Sequence, residues 1–176
     1  MPLAGIKRDG SIFFPQSMHN FFEFVSESPE KTQGIGIKLG SLARAGDVFL
    51  LVGSLGVGKT CLAQGIAWGL GIKEYASSPS FVIVKEYQGR LPLYHIDLYR
   101  LDEIDEIAEL GLDEYLYGEG VCVVEWAEKG FSLLPEDHLL IKMNYLSDTK
   151  RSLRFEPSGG GYSGLISRLY PLLVKK

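Results

Sequence analysis

The run Val48-Phe49-Leu50-Leu51-Val52, followed at once by Gly53-Ser54-Leu55-Gly56-Val57-Gly58-Lys59-Thr60, constrains this chain more than any other segment. Five successive apolar residues between turn formers fit a strand buried on both faces of a parallel sheet. The next eight satisfy glycine, four residues, glycine, lysine, then serine or threonine, which is the Walker A pattern. Beyond them Ala63, Ile66, Ala67 and Leu70 recur at helical spacing, which predicts a helix over 60–70 closed by Gly71. A strand, a glycine loop and a helix in that order aim backbone N–H groups and the positive end of the helix dipole at one point, where a phosphate is held.

Each residue type in the loop has a chemical reason. Gly53, Gly56 and Gly58 let the backbone curl around a β-phosphate, with Ser54, Leu55 and Val57 between them and Cys61 just beyond. Lys59 can bridge β- and γ-oxygens, and Thr60 can offer its hydroxyl to Mg²⁺, so a nucleotide's terminal phosphates with Mg²⁺ are the expected occupant. The plain alternative is a glycine-rich turn with a surface lysine, and the flanking strand and helix weigh against it.

Such a loop needs an acid at the C-terminal end of a neighbouring strand. Val121 to Val124 reads as a second buried strand with Glu125 emerging at its end, suited to hold Mg²⁺ through a water or to polarise an attacking water. A simple strand-terminal surface acid is the competing reading. In 93–99, period-two alternation puts Leu93, His95, Asp97 and Tyr99 on one face. Asp97 is then either a second acid near the metal or the attacking water, or a partner for His95 or Arg100 in a structural network. His95 reads as a packed, hydrogen-bonded ring rather than a general base, and Trp126 as packing.

At 176 residues the chain suits one domain, and its 45% hydrophobic content suffices for a core. The first 23 residues mix glycine, proline and phenylalanine without a clear period and are read as an N-terminal extension, with the domain over 24–176. A helix over 29–44 opens on Ser28 with Pro29 in its first turn. Strands over 81–87 and 93–99, joined by Gln88-Gly89-Arg90, suit an antiparallel hairpin. A helix over 102–115 with Ile104, Ile107, Ala108 and Gly111 inward, strands over 138–145 and 152–155, a glycine-rich linker over 158–161 and a closing helix over 165–172 complete the reading. The sum is a three-layer α/β P-loop NTPase fold with a mostly parallel sheet and one antiparallel hairpin.

A net charge of −4 disfavours direct, non-specific grip on nucleic acid. Cys61 and Cys122 lack the spacing of a zinc site or disulfide framework, and neither a bilayer-length apolar run nor a signal-peptide core is visible, so a soluble cytoplasmic protein is expected. Ten acids and no base lie between Arg100 and Lys129, best read as a solvated helix face.

Thr32, the Walker A loop, Ser78-Pro79-Ser80-Phe81, Tyr94-His95-Ile96-Asp97-Leu98-Tyr99-Arg100-Leu101 and Val124-Glu125-Trp126, in that order, resemble the TsaE family, the bacterial ATPase component of the machinery that makes threonylcarbamoyladenosine on tRNA. The resemblance spans roughly 24–155. It implies Thr60 and Glu125 as Mg²⁺ ligands, Lys59 as the phosphate lysine, Asp97 as an essential acid near the γ-phosphate, and 78–81 as a switch-like loop. It also implies Thr32 and a basic residue near Lys150 or Arg151 close to the adenine, and TsaD and TsaB as partners through which tRNA is reached. Ser54, Cys61 and Ser80 stand where the family commonly has an acid, a threonine and a threonine.

Two other functions share the loop. A small-molecule kinase needs an arginine-bearing lid, and only Arg90 and Arg100 lie between 45 and 150. A nucleotide-gated binding module would make hydrolysis incidental. A guanine-specific switch is disfavoured because no N-K-x-D segment exists.

Overall fold

A computed structural model of the chain describes residues 21–76 and 83–174, and the backbone at 5–6 and 12–13. The last two pairs form short antiparallel strands, β1 (Gly5–Ile6) and β2 (Ile12–Phe13). The segment 78–81, expected as a switch-like loop, lies outside the described residues.

Seven strands form one mixed sheet: β3 (Phe22–Ser26), β4 (Val48–Val52), β5 (Val84–Tyr87), β6 (Leu93–Asp97), β7 (Val121–Glu125), β8 (His138–Tyr145) and β9 (Arg151–Ser158), in the spatial order β3-β9-β8-β4-β7-β6-β5. The central four, β8-β4-β7-β6, run parallel. Antiparallel pairs finish both sides, β5 with β6 as expected, and β9 with β8 and β3. The edge strand β3 has no counterpart in the sequence reading. Phe22 and Glu23, assigned there to the extension, belong to it, and the Phe22 ring stacks on Phe155 of β9 at 4.5 Å. Strand β9 also runs longer than the expected 152–155.

Helices cover both faces. On one lie α1 (Pro29–Leu42), α2 (Lys59–Gly69) and α5 (Tyr162–Val174), packed over Phe49, Leu51, Val121 and Val123. On the other lie α3 (Ile104–Glu109) and α4 (Asp113–Leu116), over Val48, Leu50, Cys122 and Val124. Adjacent residues of one strand thus serve opposite cores, as a parallel strand buried on both faces requires.

Helix α1 begins as its sequence dictates: Ser28 is the cap, its hydroxyl accepting from Lys31 N, and Pro29 fills the first turn. The single helix expected over 102–115 is instead two short ones. Gly111, at φ +63°, breaks the helix and resets its phase, so Ile107, Leu112 and Leu116 face the core while Ile104, Ala108 and Gly111 do not.

Helices α1 and α2 approach unusually closely. A Cβ at Gly36 or Gly40 would overlap the carbonyls of Leu62 or Ile66, and one at Gly65 or Gly69 those of Gln33 or Ile37. Each helix presents two glycines four residues apart, so each backbone lies in the groove of the other. The C-terminus of α1 is completed from the β5–β6 turn, where the Arg90 guanidinium donates to the carbonyls of Gly40, Ser41 and Ala43.

Candidate active site

The loop between β4 and α2 lies at the C-terminal edge of the parallel strands, and it curls there because three of its residues hold positive φ: Gly53 at +146°, Gly56 at +75° and Gly58 at +113°. Its outer side is braced by the β8–β9 hairpin. The Tyr145 hydroxyl donates to Leu55 O at 3.1 Å, Arg151 Nε donates to Val57 O at 3.0 Å, and the Arg151 guanidinium lies 4.2 Å from the Tyr145 ring centre.

Register brings the acids to this loop. In the parallel pair β6–β7, Asp97 stands opposite Glu125 and His95 opposite Val123. Period two then turns His95, Asp97, Val123 and Glu125 to the face covered by α2. Glu125, only 2% exposed, has both carboxylate oxygens engaged. Thr60 Oγ1 donates to Oε2 at 3.0 Å, and His95 Nε2 lies 2.7 Å from Oε1. Asp97 is buried and accepts from Tyr99 N at 2.9 Å, a local turn that ends β6 two residues short of the expected Tyr99.

Lys59 is 4% exposed. Its ammonium donates to Gly53 O at 2.6 Å and Ser54 O at 3.0 Å, and lies 3.8 Å from the centre of the Trp126 ring. Burial pulls its pKa below the usual lysine range, against the raising effect of Glu125, Glu128 and Asp97. Trp126, read from sequence as packing, is the only described non-glycine residue with positive φ, at 58°. That conformation ends β7 and turns the indole over Lys59, with Tyr99 at 4.9 Å on it.

A cavity of about 450 Å³ opens here, lined by Lys59, Thr60, Asp97, Arg100, Glu125 and Trp126 together with Leu55, Gly56, Gly58 and Tyr99. Lys59, Thr60, Asp97 and Glu125 are therefore brought together. Thr32 is not among the lining residues: it is 2% exposed, and its hydroxyl is shared with Ser26 at 2.8 Å and Ser28 O at 3.3 Å. Arg151 is engaged with carbonyls of the loop and of its own turn. Cys61 is half-buried and donates to Pro29 O at 3.3 Å, and burial raises its thiol pKa.

Sequence reasoning missed the roles of Trp126, Tyr99, Tyr145 and Arg151. Only for Trp126 did the sequence carry a signal, an aromatic directly after the strand-terminal acid. The bracing by Tyr145 and Arg151 depends on a hairpin about ninety residues away, which no local spacing discloses.

A family model described as threonylcarbamoyl adenosine biosynthesis protein TsaE matches residues 26–153. The chain belongs to the TsaE family. The Bacillus subtilis tRNA threonylcarbamoyladenosine biosynthesis protein TsaE is 45% identical over 143 residues, covering 81% of this chain and 89% of its own. The Treponema pallidum protein of that name is 43% identical over 129 residues, covering 73% and 96%. The crystal structure of Bacillus subtilis YdiB superposes with a TM-score of 0.78 at 39% identity, covering 89% of this chain and 99% of that one. The TsaE match begins at Ser26, within β3, and ends at Leu153, within β9. It thus spans the 53–60 loop, both acids, and Tyr145 and Arg151 of the bracing hairpin. No helix among the described residues is long and apolar enough to cross a membrane.

Proposed function

We propose that this TsaE-family chain has a P-loop NTPase fold, binds ATP with Mg²⁺ at the 53–60 loop, hydrolyses it, and thereby acts on or resets the TsaD–TsaB pair in the cytoplasm, reaching tRNA through that complex. The observation that carries the reading is the Thr60–Glu125 contact of 3.0 Å beside the Lys59 ammonium, at the base of one cavity.

The donor set fits magnesium. A hydroxyl and a carboxylate are hard oxygen donors, and Mg²⁺ commonly takes one or two protein ligands while keeping waters and phosphate oxygens. Thr60 and Glu125, in contact at 3.0 Å, would be its protein ligands. Held there, the ion would supply neutralisation of the phosphates' negative charge.

The chain's own groups do the rest. First-turn N–H groups of α2, which have no carbonyl of their own helix to bond, face an anion at the loop. Lys59 exchanges its two loop carbonyls for phosphate oxygens. Asp97, on the same face as Glu125, is positioned to orient water toward the γ-phosphate. Arg100 lines the cavity from an exposed position.

The test is magnesium-dependent ATP turnover, alone and with TsaD and TsaB, alongside multiple-turnover threonylcarbamoyl transfer to tRNA. Lys59→Ala is expected to lose turnover by about 10²–10³ and to stop multiple rounds of modification. A charge-stabilising group supplied by a partner is worth about 10³–10⁵ in rate, so turnover should be slow alone and rise with TsaD and TsaB. Phosphate transfer to a metabolite, or full complex function in a non-hydrolysing Glu125→Gln variant, would replace this reading with the kinase or the binding module.

A further inference from the structure

The mechanism above uses Thr60, Lys59, Asp97 and Glu125 but leaves His95 idle, although it is the most deeply buried polar group at the site. Its side chain is 0% exposed and that of Glu125 is 3% exposed, with 2.7 Å between Nε2 and Oε1. The other ring nitrogen, Nδ1, is buried without a hydrogen-bond partner. A buried polar atom left unpaired costs free energy, so a histidine here has to return something that a leucine in the same sheet position would not.

The partner's chemistry indicates what is returned. A metal-binding carboxylate only accepts, so the hydrogen bond between the two groups is one that Nε2 donates to Oε1. Glu125 is thus gripped at one oxygen by a ring fixed within the sheet. Its second oxygen turns toward α2, where Thr60 Oγ1 meets it at 3.0 Å. Without the grip on Oε1, rotation about the last side-chain bond would swing the carboxylate away from Thr60.

We propose that His95 is a positioning residue for the divalent-cation site: by donating Nε2–H to Oε1 of Glu125, it commits Oε2, together with Thr60 Oγ1, to the cation beside the phosphate loop. This deepens the nucleotide reading and rests on it. Partners that orient a metal-binding carboxylate typically alter metal affinity by about 10- to 100-fold when removed.

The test measures ATP affinity by calorimetry with Mg²⁺ and with EDTA, for wild type, His95→Leu and His95→Gln; the Gln amide carries an N–H near the position of Nε2. The expected result is that His95→Leu binds ATP in EDTA as wild type does but loses about 10- to 100-fold of the gain that Mg²⁺ brings, and that His95→Gln recovers most of it. Nitrogen-15 NMR of the ligand-free wild type should show a proton on Nε2. Should His95→Leu fail to fold, His95→Asn, whose shorter amide cannot reach Oε1, replaces it.

An unaltered magnesium gain in a folded His95→Leu or His95→Asn variant, or a proton on Nδ1 alone, overturns the role of His95 and leaves the nucleotide reading standing. A wild type that binds no ATP under either condition overturns the nucleotide reading itself, and this proposal falls with it.

Discussion

Lys59 carries a charge where the chain admits almost no water, held by two loop carbonyls and one face of an indole. Removing that charge relieves the desolvation that opposes folding but leaves the Gly53 and Ser54 carbonyls without their donor, so two effects of opposite sign partly cancel. Lys59→Met should lose nucleotide affinity while changing stability at neutral pH by no more than about 1 kcal/mol in urea unfolding. The pH dependence has a definite sign. With the folded pKa below the unfolded 10.5, the unfolded chain holds more protons in the interval between them, so this group's contribution becomes less unfavourable as pH rises through it. Wild type should gain on Lys59→Met across that alkaline interval, and a flat difference would show that the ammonium is better solvated than its contacts imply.

Elements, more than residues, separate what the sequence discloses from what it hides. Helix α1 is legible because its cap and first-turn proline are local chemistry, and β4 and β7 because runs of five and four apolar residues have few other uses. The acids are legible as candidates, but that Glu125 is buried against Thr60 rather than a strand-terminal surface acid depends on how β6, β7 and α2 come together, which no spacing encodes. The break at Gly111 was missed because an isolated glycine inside a helical pattern often continues the helix, and only its positive φ shows otherwise. The interlock of α1 and α2 was equally hidden: Gly36, Gly40, Gly65 and Gly69 read singly as weak helix formers, whereas together they permit backbone contact. Gly65→Ala should raise intrinsic helix propensity yet destabilise, since its Cβ overlaps the Gln33 carbonyl. An overpacking penalty of about 1–3 kcal/mol is expected in urea unfolding. Gly164→Ala, on α5 with nothing near its Cβ, is the control and should be neutral or mildly stabilising.

At the scale of the whole molecule, both cores hang on β4, since Phe49 and Leu51 belong to one and Val48 and Leu50 to the other. Closing helix α5 reaches the start of that strand through a side chain: the Tyr162 hydroxyl accepts from Val48 N at 2.7 Å. On the opposite face the Cys122 thiol donates to Tyr115 O at 2.9 Å, tying β7 to α4. Burial pushes both groups up to about 12, from 10.0 for the phenol and 9.0 for the thiol. Above pH 9 the unfolded chain releases these protons before the folded one does, so the folded state holds more protons and each rise in pH favours unfolding. Their contribution is complete below pH 9 for Cys122 and below pH 10 for Tyr162, and is lost progressively as pH approaches 12. Each tenfold change in an acid dissociation constant is worth roughly 1.4 kcal/mol, so the loss is several kcal/mol, a large part of a marginal total of about 5–15 kcal/mol. Cooperative alkaline unfolding should set in above pH 9, with tertiary signals from both faces lost in a single transition. Tyr162→Phe leaves Val48 N–H without its acceptor and should cost about 1–3 kcal/mol at neutral pH, yet its stability should fall less steeply than wild type between pH 10 and 12. Parallel stability curves for wild type and Tyr162→Phe across that interval would mean that the phenol reaches water in the folded state and that α5 is not seated on β4 as its contacts indicate.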